Sequence, residues 1–309
     1  MSTEYISDLK VDNYENYLQS LERACKWLGV SNGRAFEYEE LVRELFKDGK
    51  DSREHILAYN ESCEITDIFE FWESHVSHFP GIKEKIKKCL KKGPSLREDE
   101  NPNEATNRPR NDAFVFLLAG ELMRANIKVI AVEGIVALGT SCHKDADITF
   151  EWSESVIDIQ CKRLQTEAAL EKRVRKARKQ LTSPSRQGQS GIIAIDCSVL
   201  IRPPGTVVGS NSAESTVPYI YKLLEEEIKP KVNRHIDPNI LGYLLFARVP
   251  AMTPTKISPI LSPKGNPYIN FRSDSSFSSL FISNLSSSET EIFRAIYEKI
   301  GTTINNTAS

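Results

Sequence analysis

A chain of 309 residues is long enough for one large domain or two ordinary ones, and 40% hydrophobic with 27% charged residues is a normal globular composition. No apolar run reaches the roughly 18 residues of a transmembrane helix. The net charge of −2 argues against a protein that coats nucleic acid by bulk charge, but not against a local basic face. The opening MSTEYISDLK is polar, acidic and without a signal-peptide core, which predicts a cytoplasmic location. The six cysteines form no CxxC pair, so they read as free thiols rather than a zinc knuckle or redox motif.

Residues 1–92 are predicted to be helical. YENYLQSLERACKWLGV (14–30) places Tyr17, Leu18, Leu21, Ala24, Cys25 and Leu28 near helical spacing and stops at Ser31-Asn32-Gly33. FEYEELVRELFKDGK repeats the pattern. ITDIFEFWESHVSHF and GIKEKIKKCLKK predict two more helices separated by Pro80, with charges on solvated faces. His75 and His78 lack an acidic or cysteine partner and read as structural. Residues 93–110 are polar, contain three prolines and read as a linker.

The pattern then changes. NDAFVFLLAGELMRANI (111–127) predicts an apolar helix, and KVIAVEG (128–134) a strand. DADITFEW (145–152) and SVIDIQCKR (155–163) predict two more strands, joined by a short Ser-Glu turn. TEAALEKRVRKARKQL (166–181) predicts a long helix and GIIAIDCSVLI (191–201) a buried strand. A helix at 217–234 and a strand at 242–249 follow. GTVVGSNS (205–212) lacks the Walker lysine and reads as a loop. The segment 250–290 is poorly patterned beyond short INF and LFI strands. A helix at 289–304 and a polar tail at 305–309 close the chain. The expectation is an α/β fold with a mixed sheet flanked by helices, spanning 111–304 and preceded by the helical region.

Within SVIDIQCKR, strand alternation sets Asp158, Gln160 and Lys162 on one face. The order α-β-β-β-α-β, with Asp147 opening one strand in DADITF and Gln160-Cys161-Lys162 closing the next, resembles the PD-(D/E)xK nuclease superfamily. The QCKR form resembles the Mrr-type restriction endonucleases, which carry Gln in place of the acid. The resemblance covers about 111–201, and Ala146 stands where proline is usual.

The resemblance implies a restriction-endonuclease-like core, a Mg²⁺- or Mn²⁺-dependent deoxyribonuclease activity and, by analogy alone, a role in restriction or anti-phage defence. It implies that Asp147 is the main metal ligand, that Gln160 adds an amide oxygen and that the Cys161 carbonyl joins them. Lys162 would orient or deprotonate the attacking water, or stabilise charge on phosphorus oxygens. A second acid compensating for Gln160 is expected at Glu121, the single carboxylate in LLAGELM, with Asp158 the other candidate. His143 is placed to assist a phosphate or a proton transfer.

Lys172, Arg175, Lys176 and Lys179 follow i, i+3, i+4, i+7 spacing, and Arg163 extends this basic zone, so all five are expected to contact nucleic acid. Ala168, Ala169, Val174, Ala177 and Leu181 are expected on the buried side. The expected partners are DNA, with RNA left open, no membrane, and a second copy of the chain where both strands are cut. Two other readings stand beside this one: a nuclease-fold module that binds without cutting, and a protein-interaction scaffold.

Overall fold

The helices described between Val11 and Lys91 bury their apolar faces because Leu, Ile, Ala and aromatic residues recur at three- and four-residue intervals. The computed structural model describes residues 11–48, 52–93, 108–141, 146–152, 155–183, 190–201, 208–209, 217–235, 240–254, 269–281 and 294. It has four such helices: α1 (Val11–Leu28), α2 (Arg34–Lys47), α3 (Arg53–His75) and α4 (Ile82–Lys91). His143, residues 305–309, most of the expected linker and nearly all of the expected helix at 289–304 lie outside the described residues.

Helix α5 (Arg108–Arg124) starts inside the expected linker. Strand β1 (Lys128–Val132) follows and turns at Glu133-Gly134 into a short β2 (Ile135–Val136), a hairpin where one strand was expected. Next come β3 (Ile148–Trp152), β4 (Ser155–Arg163), helix α6 (Leu170–Leu181) and β5 (Ser190–Asp196). The expected helix at 166–181 opens with a 3₁₀ turn over Glu167–Ala169, and this leaves Ala168 exposed.

The expected strand at 191–201 ends early. The Asp196 carboxylate accepts from the Ser198 N–H at 2.9 Å and caps a short helix, α7 (Ser198–Ile201). A two-residue β6 (Val208–Gly209) lies within the expected loop.

The expected helix at 217–234 is divided into α8 (Val217–Leu223), a π-helical turn at Leu224–Ile228 and α9 (Lys229–Asn233). Pro230 explains the division: it has no N–H and its ring crowds the carbonyl four residues earlier. Strand β7 (Gly242–Pro254) is longer than expected and pairs along its length with β8 (Ile269–Phe281). Only short INF and LFI strands were expected there; backbone pairing with β7 orders a serine-rich segment that has no apolar run.

The described strands form one mixed sheet of eight in the order β2-β1-β3-β4-β5-β7-β6, with β8 on β7. β1–β3 and β3–β4 are antiparallel, whereas β4–β5 and β5–β7 are parallel. One sheet face carries Ile148, Phe150, Ile157, Ile159, Ala194 and Phe246 into a core shared with the N-terminal helices and α5. The other carries Ile193, Ile195, Tyr243 and Leu245 into a second core with α6 and the Val217–Asn233 segment. Among the described residues no helix is long and apolar enough to cross a membrane.

Candidate active site

β4 lies inside the sheet, with β3 on one side and β5 on the other, so both of its faces are covered from Ile157 onward. Its polar residues share the face that carries Ile193 and Ile195 on β5, since Gln160 pairs with Ile193 and Lys162 with Ile195. Ile148 pairs with Ile159 across the antiparallel neighbour, so the next position sets Asp147 against Gln160. Asp147, Gln160 and Lys162 therefore meet: strand alternation predicts the shared face of Gln160 and Lys162, and the addition of Asp147 is what the resemblance implies.

The Lys162 ammonium donates to the Cys161 carbonyl at 2.9 Å, to Gln160 Oε1 at 3.1 Å and to Asp147 Oδ2 at 3.4 Å. The same Asp147 oxygen accepts the Cys161 N–H at 2.7 Å. A lysine has three donors, and here they meet three hard oxygens in a buried setting. Gln160 is fully buried and Lys162 nearly so, while the Asp147 side chain is 20% exposed and forms the most open part of the group.

The structure brings two further acids into this field. Glu133 and Gly134 both have positive φ, 50° and 71°, and form the two-residue turn between β1 and β2. A type I′ turn requires this of both central residues. The Glu133 N–H then donates to the Asp147 carbonyl at 2.8 Å. Burial, followed by the charges of Asp147 and Asp112, pushes the Glu133 carboxyl up to about 7. Asp112, just past the first turn of α5, is raised chiefly by burial; Arg108 opposes this and Asp147 adds to it. Burial, reinforced by Asp147, also pushes the Cys161 thiol up. Neither Glu133 nor Asp112 was expected from the sequence. The Glu-Gly pair between two apolar runs was the available signal for Glu133; for Asp112 it was only a place near the helix start.

Glu121 and Asp158 are engaged elsewhere. Asp158 accepts from Thr149 Oγ1 at 2.7 Å, within a cross-strand pair. Glu121 lies two and a half turns along α5 from Asp112, about 13 Å up the axis and on the opposite side of the helix. Its Oε1 accepts from Arg124 at 2.7 Å, and its surroundings include Asp67 and Arg248 rather than Asp147. Expecting Glu121 beside Asp147 and Gln160 is therefore corrected by helix geometry.

Arg163 is also corrected. It is buried, its Nε lies 3.4 Å from Asp196 Oδ2, and its backbone N–H donates to Asn111 Oδ1 at 3.2 Å. Its guanidinium is turned into the fold and away from any nucleic-acid surface. Lys172, Arg175, Lys176 and Lys179 are exposed along α6, whose Val174, Ala177 and Leu181 are buried.

Among the described residues no three His, Cys, Asp or Glu side chains gather closely enough to hold a metal ion. A cation at this centre would rely on the mixed set of Asp147 carboxylate, Gln160 amide oxygen and Cys161 carbonyl. These oxygens are the ones that hold the Lys162 charge. No family model, curated protein or solved structure matches the chain.

Proposed function

We propose that the chain is a divalent-cation-dependent endonuclease with a restriction-endonuclease-like core of the PD-(D/E)xK type, acting on DNA. The observation that carries this reading is the convergence of Asp147 Oδ2, Gln160 Oε1 and the Cys161 carbonyl on one cationic group, the Lys162 ammonium. The order α5, β1, β3, β4, α6, β5, with two antiparallel pairings followed by a parallel one, supports it.

The donor set is all oxygen, which suits Mg²⁺ or Mn²⁺. Such an ion, when bound, acidifies water and neutralises charge at phosphorus. Asp147, Gln160 and the Cys161 carbonyl would hold it. Lys162, released from those oxygens, would present its ammonium to the attacking water or to a phosphoryl oxygen. Burial of Gln160 and Lys162 keeps bulk water away and strengthens each charge interaction.

A specific observation favours a second reading, a nucleic-acid-binding module that does not cut. Gln160 is neutral, and it and Asp147 are both committed to Lys162. Plasmid nicking separates the two. On the first reading the protein nicks supercoiled DNA in Mn²⁺ and not in EDTA, and combining Asp147→Ala with Lys162→Ala slows nicking at least about 100-fold. Undiminished cutting by that double variant would sink the proposal. An inert parent that cuts once Gln160→Glu is introduced would establish the binding module instead.

A further inference from the structure

We infer that the lysine row of helix α4 is the surface that receives the phosphate backbone of the nucleic acid and leads it to the Asp147 centre; the inference rests on the function proposed above. The chain carries a net charge of −2, yet residues 82–92 hold six lysines against one acid, Glu84. Ile82, Ile86, Cys89 and Leu90 are buried and fix how the helix faces. That orientation exposes Lys85, Lys88, Lys91 and Lys92.

Lys83 is taken up by the Trp27 ring, 5.1 Å from its centroid. Lys88, Lys91 and Lys92 form no ion pair among the described residues.

The row is joined to the site. Lys85 donates to the Glu133 carbonyl and lies 3.9 Å from Glu133 Oε2, and the Glu133 N–H is bonded to Asp147. The charges of Lys85 and Lys88 both act on Asp112. The lysines thus begin beside the acids of the centre and continue outward along the helix. From Lys85 to Lys92 is about 10 Å of helix axis, about three base-pair steps of duplex.

Carboxylates repel a phosphodiester, so a centre containing Asp147, Glu133 and Asp112 needs a cationic approach to hold a polyanion. α4 supplies one from the sheet face opposite to α6. Phosphate contacts of this kind position a duplex without reading its bases.

The test is fluorescence anisotropy with a short labelled duplex in EDTA over a salt series. It uses the full chain, the triple variant Lys88→Gln, Lys91→Gln, Lys92→Gln, and the control Lys26→Gln, Lys47→Gln, Lys222→Gln. The α4 variant is expected to flatten the dependence of log affinity on log salt by about 2 to 3, near 0.9 per lost phosphate contact. The control is expected to match the parent, and unchanged melting curves show that both variants fold. Equal slopes and affinities for parent and α4 variant would overturn the inference and leave the proposed function standing. No binding by the parent at low salt would overturn both. Binding to phosphatidylserine vesicles that vanishes in the α4 variant, with duplex binding intact, would overturn this inference in favour of an anionic membrane surface.

Discussion

At the scale of single residues, two glutamates show what local pattern conveys. Glu121 stands out in the sequence as the one acid in an apolar helix stretch, but its side chain pairs with Arg124 and feels the charges of Asp67 and Arg248 instead of Asp147. Periodicity reports that a helix is amphipathic; it does not report which rotation brings a given carboxylate to a distant strand. Glu133 read as the end of a continuous strand, and only the turn beside Gly134 brings it to Asp147. The shared face of Gln160 and Lys162 was legible because strand alternation is a two-state rule; Asp147 came from the resemblance, and the antiparallel register that sets it against Gln160 is seen only in the fold.

Burial is the main cause that raises the Glu121 carboxyl above its usual range; Asp67 adds to it, and Arg124 and Arg248 oppose it. Its Oε2 is buried without a hydrogen-bond partner among the described residues. A carboxyl raised in the fold binds its proton more tightly there than in the unfolded chain. Stability is therefore lost as pH rises from the unfolded value to the folded one. Glu121→Gln should remove that loss, so variant and parent should diverge as pH climbs through this window and stay parallel above it. Melting temperatures across a pH series check this. Parallel curves throughout would show that Glu121 does not titrate in this way. Nicking should survive the substitution, in contrast to Asp147→Ala.

At the scale of elements, the helices and central strands were legible wherever an apolar period ran long enough to dominate. β8 was not, because its order comes from the β7 ladder and five of its own thirteen residues are serine. The break inside 217–233 needed a backbone argument at Pro230, which hydrophobic spacing does not contain. The join between α2 and α4 was equally hidden. Gly33 caps α2 with φ 86° and ψ −174°, and a Cβ there would lie 2.5 Å from the Lys91 carbonyl oxygen. Only glycine occupies that backbone region at low cost, so Gly33→Ala should lose about 1–3 kcal/mol from conformation alone. The clash with backbone adds to this, since a carbonyl has no rotamer to retreat into. Urea denaturation should show the loss as a lower midpoint with an unchanged slope. A midpoint within error of the parent would mean that the α2–α4 contact yields freely.

At the scale of the whole molecule, sequence pattern suggests a helical region, a linker and an α/β domain, whereas packing ties the parts through one core. Trp72 Nε1 on α3 donates to the Phe116 carbonyl of α5 at 3.0 Å, and Phe71 lies against Gly120. Arg110 of α5 is fully buried; it pairs with Glu61 of α3 and donates to the Tyr38 hydroxyl of α2 at 2.9 Å. Arg248 of β7 pairs with Asp67 of α3. Such contacts cross the polar segment in space, where no one-dimensional pattern records them. A chain beginning at residue 108 would strip one sheet face and α5 of their apolar cover. It would also expose Arg110, which in the full chain is enclosed by Glu61 and Tyr38, and the apolar surface uncovered with it is large against a typical total stability of about 5–15 kcal/mol. That fragment should therefore lack a cooperative melt and bind a dye for exposed apolar surface, while the full chain melts in a single transition. A fragment that melts cooperatively within a few degrees of the full chain would show that the N-terminal helices are an appendage. If it fails as expected, the helix carrying the lysine row is part of the same cooperative unit as the Asp147 centre, and the positions of lysines and acids relative to each other are set by folding itself.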